Sequence, residues 1–188
     1  MIIGLTGPMA SGKSTVVNTL KNRGFKHISL SDMVREACRE KGLEENRDHL
    51  MATGQGLREE FGAGVLGKKV AEKIQKEGGE EWIVDGIRNP AEVEELRKLP
   101  SFVLVANTAP EDLIVKRIFD RKRVDDTLDE ATIRQKLRRE MGEGEPPEGQ
   151  QVAQCIKMAD YIFENVMDMD RVEEEFMKLY DRILNKRS

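Results

Sequence analysis

Short apolar runs alternate with longer amphipathic stretches along most of this chain. MIIGLT (Met1 to Thr6) is the first run and ends at Gly7. A helical pattern from Lys13 to Arg23 follows and stops at Gly24. HISL (His27 to Leu30) reads as a second short strand, with Ser31 or Asp32 as the cap of a helix that Gly42 stops. From about Asn46 to Lys76 the pattern stays helical and polar, but five glycines (Gly54, Gly56, Gly62, Gly64 and Gly67) predict a broken rod. EWIVDG is a third strand, Pro90 opens a helix at Ala91, SFVLVANT is a fourth strand, and Pro110 opens another helix. A charged segment from about Arg117 to Arg139 leads into the loop GEGEPPEG. ADYIFEN then gives a fifth strand, and an amphipathic helix runs from Asp168 to Lys186. Apolar strands separated by helices predict an α/β fold with a parallel sheet. The stretches near 46–76 and 117–139 are the expected moving parts, ordinary connecting helices being the alternative.

Composition narrows the classes. The chain has 188 residues, a length expected to form one domain. Charged residues make up 35%, against about 25% in typical soluble domains. The excess is mixed in sign, as on solvated helix faces. The net charge of −4 gives no bulk attraction to nucleic acid, so any anion site must be built locally. MIIGLT is too short for a membrane span and has no basic segment before it, so neither a signal peptide nor a membrane partner is expected, and the expected location is the cytoplasm. Cys38 and Cys155 form no paired motif, and His27 and His49 are the only histidines. A cysteine-rich zinc site and a histidine general base are therefore not expected.

The sharpest motif is GPMASGKS, which fits G-x-x-x-x-G-K-[ST] from Gly7 to Ser14. It lies between a buried strand and a helix, where a phosphate-binding loop must lie. Gly7 and Gly12 let the backbone wrap, so that the stretch Pro8, Met9, Ala10 and Ser11 turns its N–H groups toward phosphate oxygens. The following helix, beginning with Lys13, Ser14 and Thr15, adds its positive end. Lys13 supplies a point charge for the β- and γ-phosphates, and the Ser14 hydroxyl is a candidate Mg²⁺ ligand. Asp85, at the end of the EWIVDG strand, is a second candidate for the Mg²⁺ shell, or else a turn residue before Gly86. ATP as co-substrate and Mg²⁺ as cofactor follow as expectations.

Arg35, Arg88, Arg117, Arg121, Arg123 and Arg134 follow these elements. Each alone reads as a surface residue. Together they suit phosphoryl transfer between two anions, where planar guanidinium forks neutralise the moving charge. No N-K-x-D motif for guanine is present.

At SDMVR (Ser31 to Arg35), VKRIFDRKRV (Val115 to Val124) and RVDDTLDEATIRQKL the chain resembles adenylate-kinase-like P-loop small-molecule kinases. LREEFGAGVLGKKVAEKI and ADYIFEN resemble an archaeal group similar to adenylate kinase and dephospho-CoA kinase. The resemblance implies one P-loop kinase domain over residues 1–188, with a five-stranded parallel sheet in the order 2-3-1-4-5. It implies acceptor-binding helices at about 32–76 and a short helical lid at about 117–139. It also implies that Arg35 grips the acceptor phosphate, that Arg117 stacks on the donor adenine, and that Arg121 contacts the donor phosphates. Arg123 and Arg134 would close over the transferred group. Arg88 takes an acceptor role by analogy, although GIRNP departs by one residue from the family's Gly-x-Pro-Arg. Only Lys122 separates Arg121 from Arg123, so a long lid insert is absent.

Three functions compete. The first is Mg²⁺- and ATP-dependent transfer to a nucleoside monophosphate. The second is dephospho-CoA-kinase-type transfer to a hydroxyl, for which Asp32 is the candidate base, a helix cap being its other role. The third is a slow regulatory or assembly ATPase. Gln55 and Arg58 are weaker candidates for contact with an acceptor base, and Asn165 for orienting the loop near the donor base.

Overall fold

A computed structural model describes residues 1–120, 129–167 and 171–186. Five strands form one parallel sheet: β1 (Ile2–Thr6), β2 (Lys26–Ser29), β3 (Trp82–Ile87), β4 (Phe102–Thr108) and β5 (Tyr161–Glu164), in the spatial order β2-β3-β1-β4-β5. This is the order implied by the resemblance. The central strand explains why: β1 is buried along its whole length, and parallel sheets bury both faces beneath their crossover helices.

The alternation along each strand divides the core. Ile3, Leu5, Ile83, Val103, Val105 and Phe163 face one side, where α1 (Lys13–Lys21) and α9 (Val172–Asn185) cover them with Leu20, Phe176 and Ile183. Ile2, Val84 and Leu104 face the other side. There they pack in one apolar cluster with α2 (Leu30–Glu40), α3 (Arg47–Phe61), α4 (Val65–Glu77), α5 (Pro90–Leu96) and α8 (Val152–Met158). Full burial of each such aliphatic or aromatic side chain contributes about 1.5–3 kcal/mol.

A third cluster lies at the edge of the site. Ile114, Val115 and Ile118 of α6 (Glu111–Asp120) pack on Ile133 and Leu137 of α7 (Glu130–Met141), and Met9 and Ala10 of the glycine loop pack against them. The helix pair flanking residues 121–128 therefore rests directly on the loop. Among the described residues, no helix is long and apolar enough to cross a membrane.

Local differences from the sequence reading have physical causes. The helix after β2 is capped by Ser29 instead of Ser31 or Asp32. Asp32 is the third residue of a capping box, accepting from the Ser29 N–H at 2.9 Å. The polar stretch at 46–76 breaks once, at Gly62 to Gly64, into α3 and α4, while Gly54, Gly56 and Gly67 sit inside helices. The short helix α8 was not anticipated by the apolar pattern. The last helix begins at Val172, and the start expected at Asp168 lies outside the described residues.

Candidate phosphoryl-transfer site

The glycine loop follows the C-terminal end of β1, the edge at which open α/β sheets bind ligands. Gly7 has φ +131°, and a Cβ there would stand 2.0 Å from the Asn107 carbonyl oxygen. Gly12 has φ +95°, and a Cβ there would strike Asn165 Nδ2, also at 2.0 Å. Both motif glycines are thus required by left-handed backbone and by close approach of β4 and the β5 end. Ala10 adopts φ +55°, completing the reversal. Helix α1 starts at Gly12 with no side-chain cap and no acid in its first turn, which leaves its positive end uncovered for an anion.

Lys13 folds back over the loop. Its Nζ donates to the carbonyl oxygens of Gly7 and Pro8, each at 2.7 Å. Burial pulls the ammonium from 10.5 down to about 8; the carboxylates of Glu140 and Asp85 oppose that shift, and Arg88 adds to it. Ser14 is exposed and Thr15 half-buried on the first turn of α1.

Asp85 reaches the same edge through an irregularity in the ladder. Gly4 pairs with Val84, but Thr6 pairs with Ile87, so β3 carries one extra residue at Asp85–Gly86. The Asp85 Oδ1 accepts from the Gly86 N–H at 2.6 Å. The Ser14 hydroxyl and one carboxylate are hard oxygen donors of the kind that suits Mg²⁺, which keeps waters and phosphate oxygens in its shell.

Next along the chain, Arg88 extends from the end of β3, half exposed, with its Nε 3.5 Å from Glu140 Oε1. Its backbone N–H donates to Glu92 Oε2 at 2.8 Å. Glu92 is wholly enclosed; burial pushes its carboxyl upward, opposed by Arg58 and by the N–H groups of Arg88 and Asn89. It closes the capping box of α5. Arg58 Nη2 lies 3.4 Å from Glu92 Oε1 and so binds α3 to this support, whereas the Gln55 side chain is exposed and donates to Glu59 on its own helix.

The other acceptor-side candidates sit on α2. Arg35 donates to Ser31 Oγ at 3.0 Å and lies 3.4 Å from Asp32 Oδ1 and 3.5 Å from Glu45 Oε2. Asp32 therefore does the work of a cap and an arginine partner.

On the donor side, Asn165 is fully buried and joins two candidates. Its Nδ2 donates to the Ser11 carbonyl at 3.1 Å, and its Oδ1 accepts from Arg117 Nη2 at 3.0 Å. Arg117 also donates to the Met167 carbonyl, which sets it beside the loop. Arg134 lies apart from this line. Its guanidinium is held at 2.6–2.7 Å by Glu111, Asp112 and Glu130, and these carboxylates hold its pKa above the ordinary arginine value. Arg121 and Arg123 lie outside the described residues.

The sequence reading passed over Glu140. Its carboxylate is buried and accepts from the Met9 N–H at 2.7 Å through Oε2. A signal existed: Ile133, Leu137 and Glu140 share one face of α7, so an acid stands on an apolar stripe. Asn107, buried beneath the loop with no hydrogen-bond partner on either side-chain polar atom among the described residues, also went unremarked.

The AAA domain family matches residues 6–134 of the chain. A UPF0200 protein of Sulfurisphaera tokodaii is 34% identical over 183 residues, 97% of each chain. Among solved structures, dephospho-CoA kinase from Campylobacter jejuni superposes with a TM-score of 0.61 at 18% identity, over 100% of this chain and 98% of that one. A shikimate kinase from Acinetobacter baumannii in complex with shikimate gives a TM-score of 0.60, also at 18% identity, over 98% and 93%. These two share the fold with this chain: a P-loop kinase-like sheet with flanking helices.

Proposed function

The chain belongs to the AAA domain family and to the UPF0200 proteins, and from that premise we propose that it is an ATP- and Mg²⁺-dependent kinase whose acceptor is a nucleoside monophosphate. One observation carries the reading: the donor loop and Arg88 beyond β3 meet on a single buried carboxylate, Glu140, which accepts from the Met9 N–H of the loop at 2.7 Å and lies 3.5 Å from Arg88, with the Lys13 ammonium within electrostatic reach. A donor phosphate held by the first and an acceptor phosphate held by the second would meet at that point.

In this mechanism the loop backbone and the end of α1 take the donor phosphates, and Lys13 leaves the carbonyls of Gly7 and Pro8 to join them. Ser14 and Asp85 would hold Mg²⁺, which neutralises developing charge on the phosphate oxygens. Arg117 lies under the donor base, with Asn165 fixing its guanidinium to the loop. Arg35 and Arg88 exchange their carboxylate partners for the acceptor phosphate, while Arg121, Arg123 and Arg134 gather on the group in transit. Residues 117–139 act as a short lid that excludes water. A phosphate acceptor has a second pKa of about 6 and arrives ionised, so no side chain need remove a proton.

Transfer to a hydroxyl, the dephospho-CoA-kinase type, would require such a base. The commitment of Asp32 to the Ser29 N–H and Arg35 weighs against it in that role. The reading is tested by following ADP release with Lys13→Ala and Arg134→Ala. Each is expected to lose about three orders of magnitude in turnover, the scale of a phosphate-clamping cation, with an unchanged melting profile. Retained turnover in a pure Lys13→Ala preparation would overturn the assignment.

A further inference from the structure

A carboxylate inside a phosphate site is an anion where an anion is meant to bind. Glu140 reaches in from α7, the last buried position of the face that seats Ile133 and Leu137 against α6. One of its oxygens accepts from the Met9 N–H, an amide of the donor loop, at 2.7 Å. The other lies 3.5 Å from Arg88, on the acceptor side. One carboxylate thus bridges the two halves of the site with the donor set a phosphoryl oxygen needs: a backbone N–H and a guanidinium. The Lys13 ammonium lies within electrostatic reach, and Glu140 is the foremost of the carboxylates that hold its proton on.

We propose that Glu140 is a positioning residue that occupies the place of the transferring phosphoryl group, and that it must withdraw when a nucleoside triphosphate binds but not when a diphosphate binds. The inference rests on the kinase reading above. The donor loop beyond Met9 and the end of α1 remain available to an α,β-diphosphate, so ADP leaves the carboxylate seated. A γ-phosphoryl group extends to Met9 and Arg88 and competes for both. While seated, Glu140 keeps Arg88 aimed at the transfer point. Once displaced, it moves with α7, the helix that also carries Arg134.

The test is isothermal titration with Mg²⁺-ADP and with a Mg²⁺-bound, non-hydrolysable ATP analogue. Wild type, Glu140→Gln and Glu140→Ala would be compared. Glutamine keeps an acceptor for the Met9 N–H and removes the charge; alanine clears the space. Both variants are expected to bind the triphosphate at least about tenfold more tightly, with the ADP affinity changing less than about threefold. Equal shifts for the two nucleotides, no shift, or weaker triphosphate binding would overturn the proposal. A wild-type measurement avoids dependence on a variant's folding: the ¹⁵N-methionine amide of Met9 should move far more with the triphosphate analogue than with ADP, and identical movement with both would overturn it. If the wild type binds ADP and Glu140 makes no difference, only this inference fails. If neither nucleotide binds, the kinase reading fails and this inference with it.

Discussion

Replacing Asn165 probes the link between the phosphate loop and the donor-base side. The side chain is fully buried and makes two hydrogen bonds, to the Ser11 carbonyl at 3.1 Å and from Arg117 Nη2 at 3.0 Å. In Asn165→Ala the Ser11 carbonyl is stranded. Among the described residues, Arg117 Nη1 is buried without a partner, and the Met167 carbonyl is the hydrogen-bond partner its side chain keeps. The stranded Ser11 carbonyl costs about 1–3 kcal/mol and the one hydrogen bond lost by Arg117 about 1 kcal/mol, so the two together cost about 2–4 kcal/mol. For a chain of this size 1 kcal/mol lowers the Tm by about 2–4 °C, giving a drop of roughly 5–15 °C by circular dichroism. The same loss should weaken Mg²⁺-ATP binding about tenfold, because the loop and Arg117 are no longer held in one geometry. Asn165→Asp separates the two bonds. It keeps an acceptor for Arg117, strengthened by charge, but sets a carboxylate oxygen against the Ser11 carbonyl, so it should melt near Asn165→Ala and bind ATP less tightly still. An Asn165→Ala protein that melts within about 2 °C of wild type and keeps its ATP affinity would refute the reasoning.

Two further outcomes follow from the same geometry. Lys13 loses its proton near pH 8 in the folded chain and near 10.5 in the unfolded one, so the unfolded chain binds more protons between these values. Its contribution to stability therefore rises with pH through that window. Mg²⁺-ATP affinity should fall as pH rises above about 8, with proton uptake on binding visible as a buffer-dependent heat, and Lys13→Ala should abolish that uptake. Gly67→Ala would place a methyl 2.7 Å from the Glu92 carbonyl oxygen, where α4 crosses α5. It should cost about 1–3 kcal/mol in chemical denaturation, and an unchanged midpoint would show that the two helices separate freely.

Much of this architecture is readable from the chain because the signals are local. The short apolar run MIIGLT ending at Gly7 marks a buried strand and a loop, EWIVDG and SFVLVANT read as further strands of a parallel sheet, and the family resemblance supplies their order. What escaped is held by distant partners. Helix α8 is seven residues long, its cap Gln151 makes no side-chain capping bond, and it is anchored by the Gln151 N–H on the Arg88 carbonyl at 2.7 Å. No periodicity in so short a stretch reports that bond. Asn89 holds the Gly/Pro loop through the carbonyls of Pro147 and Gly149, each at 2.8 Å across more than fifty positions. Arg134 shows the opposite limit. The resemblance sets it on the transferred group, yet in the folded chain it is compensated by three acids, of which Glu111 and Asp112 on α6 are brought near only by the fold.

Phosphorus-31 NMR of the full chain with Mg²⁺-ATP tests the central claim most directly. Nucleoside monophosphates and dephospho-CoA would be offered singly as acceptors. The account predicts that one nucleoside monophosphate gives a new phosphoanhydride resonance, growing in step with ADP and absent in Lys13→Ala. Inorganic phosphate as the sole product, formed at a rate no acceptor changes, would contradict it.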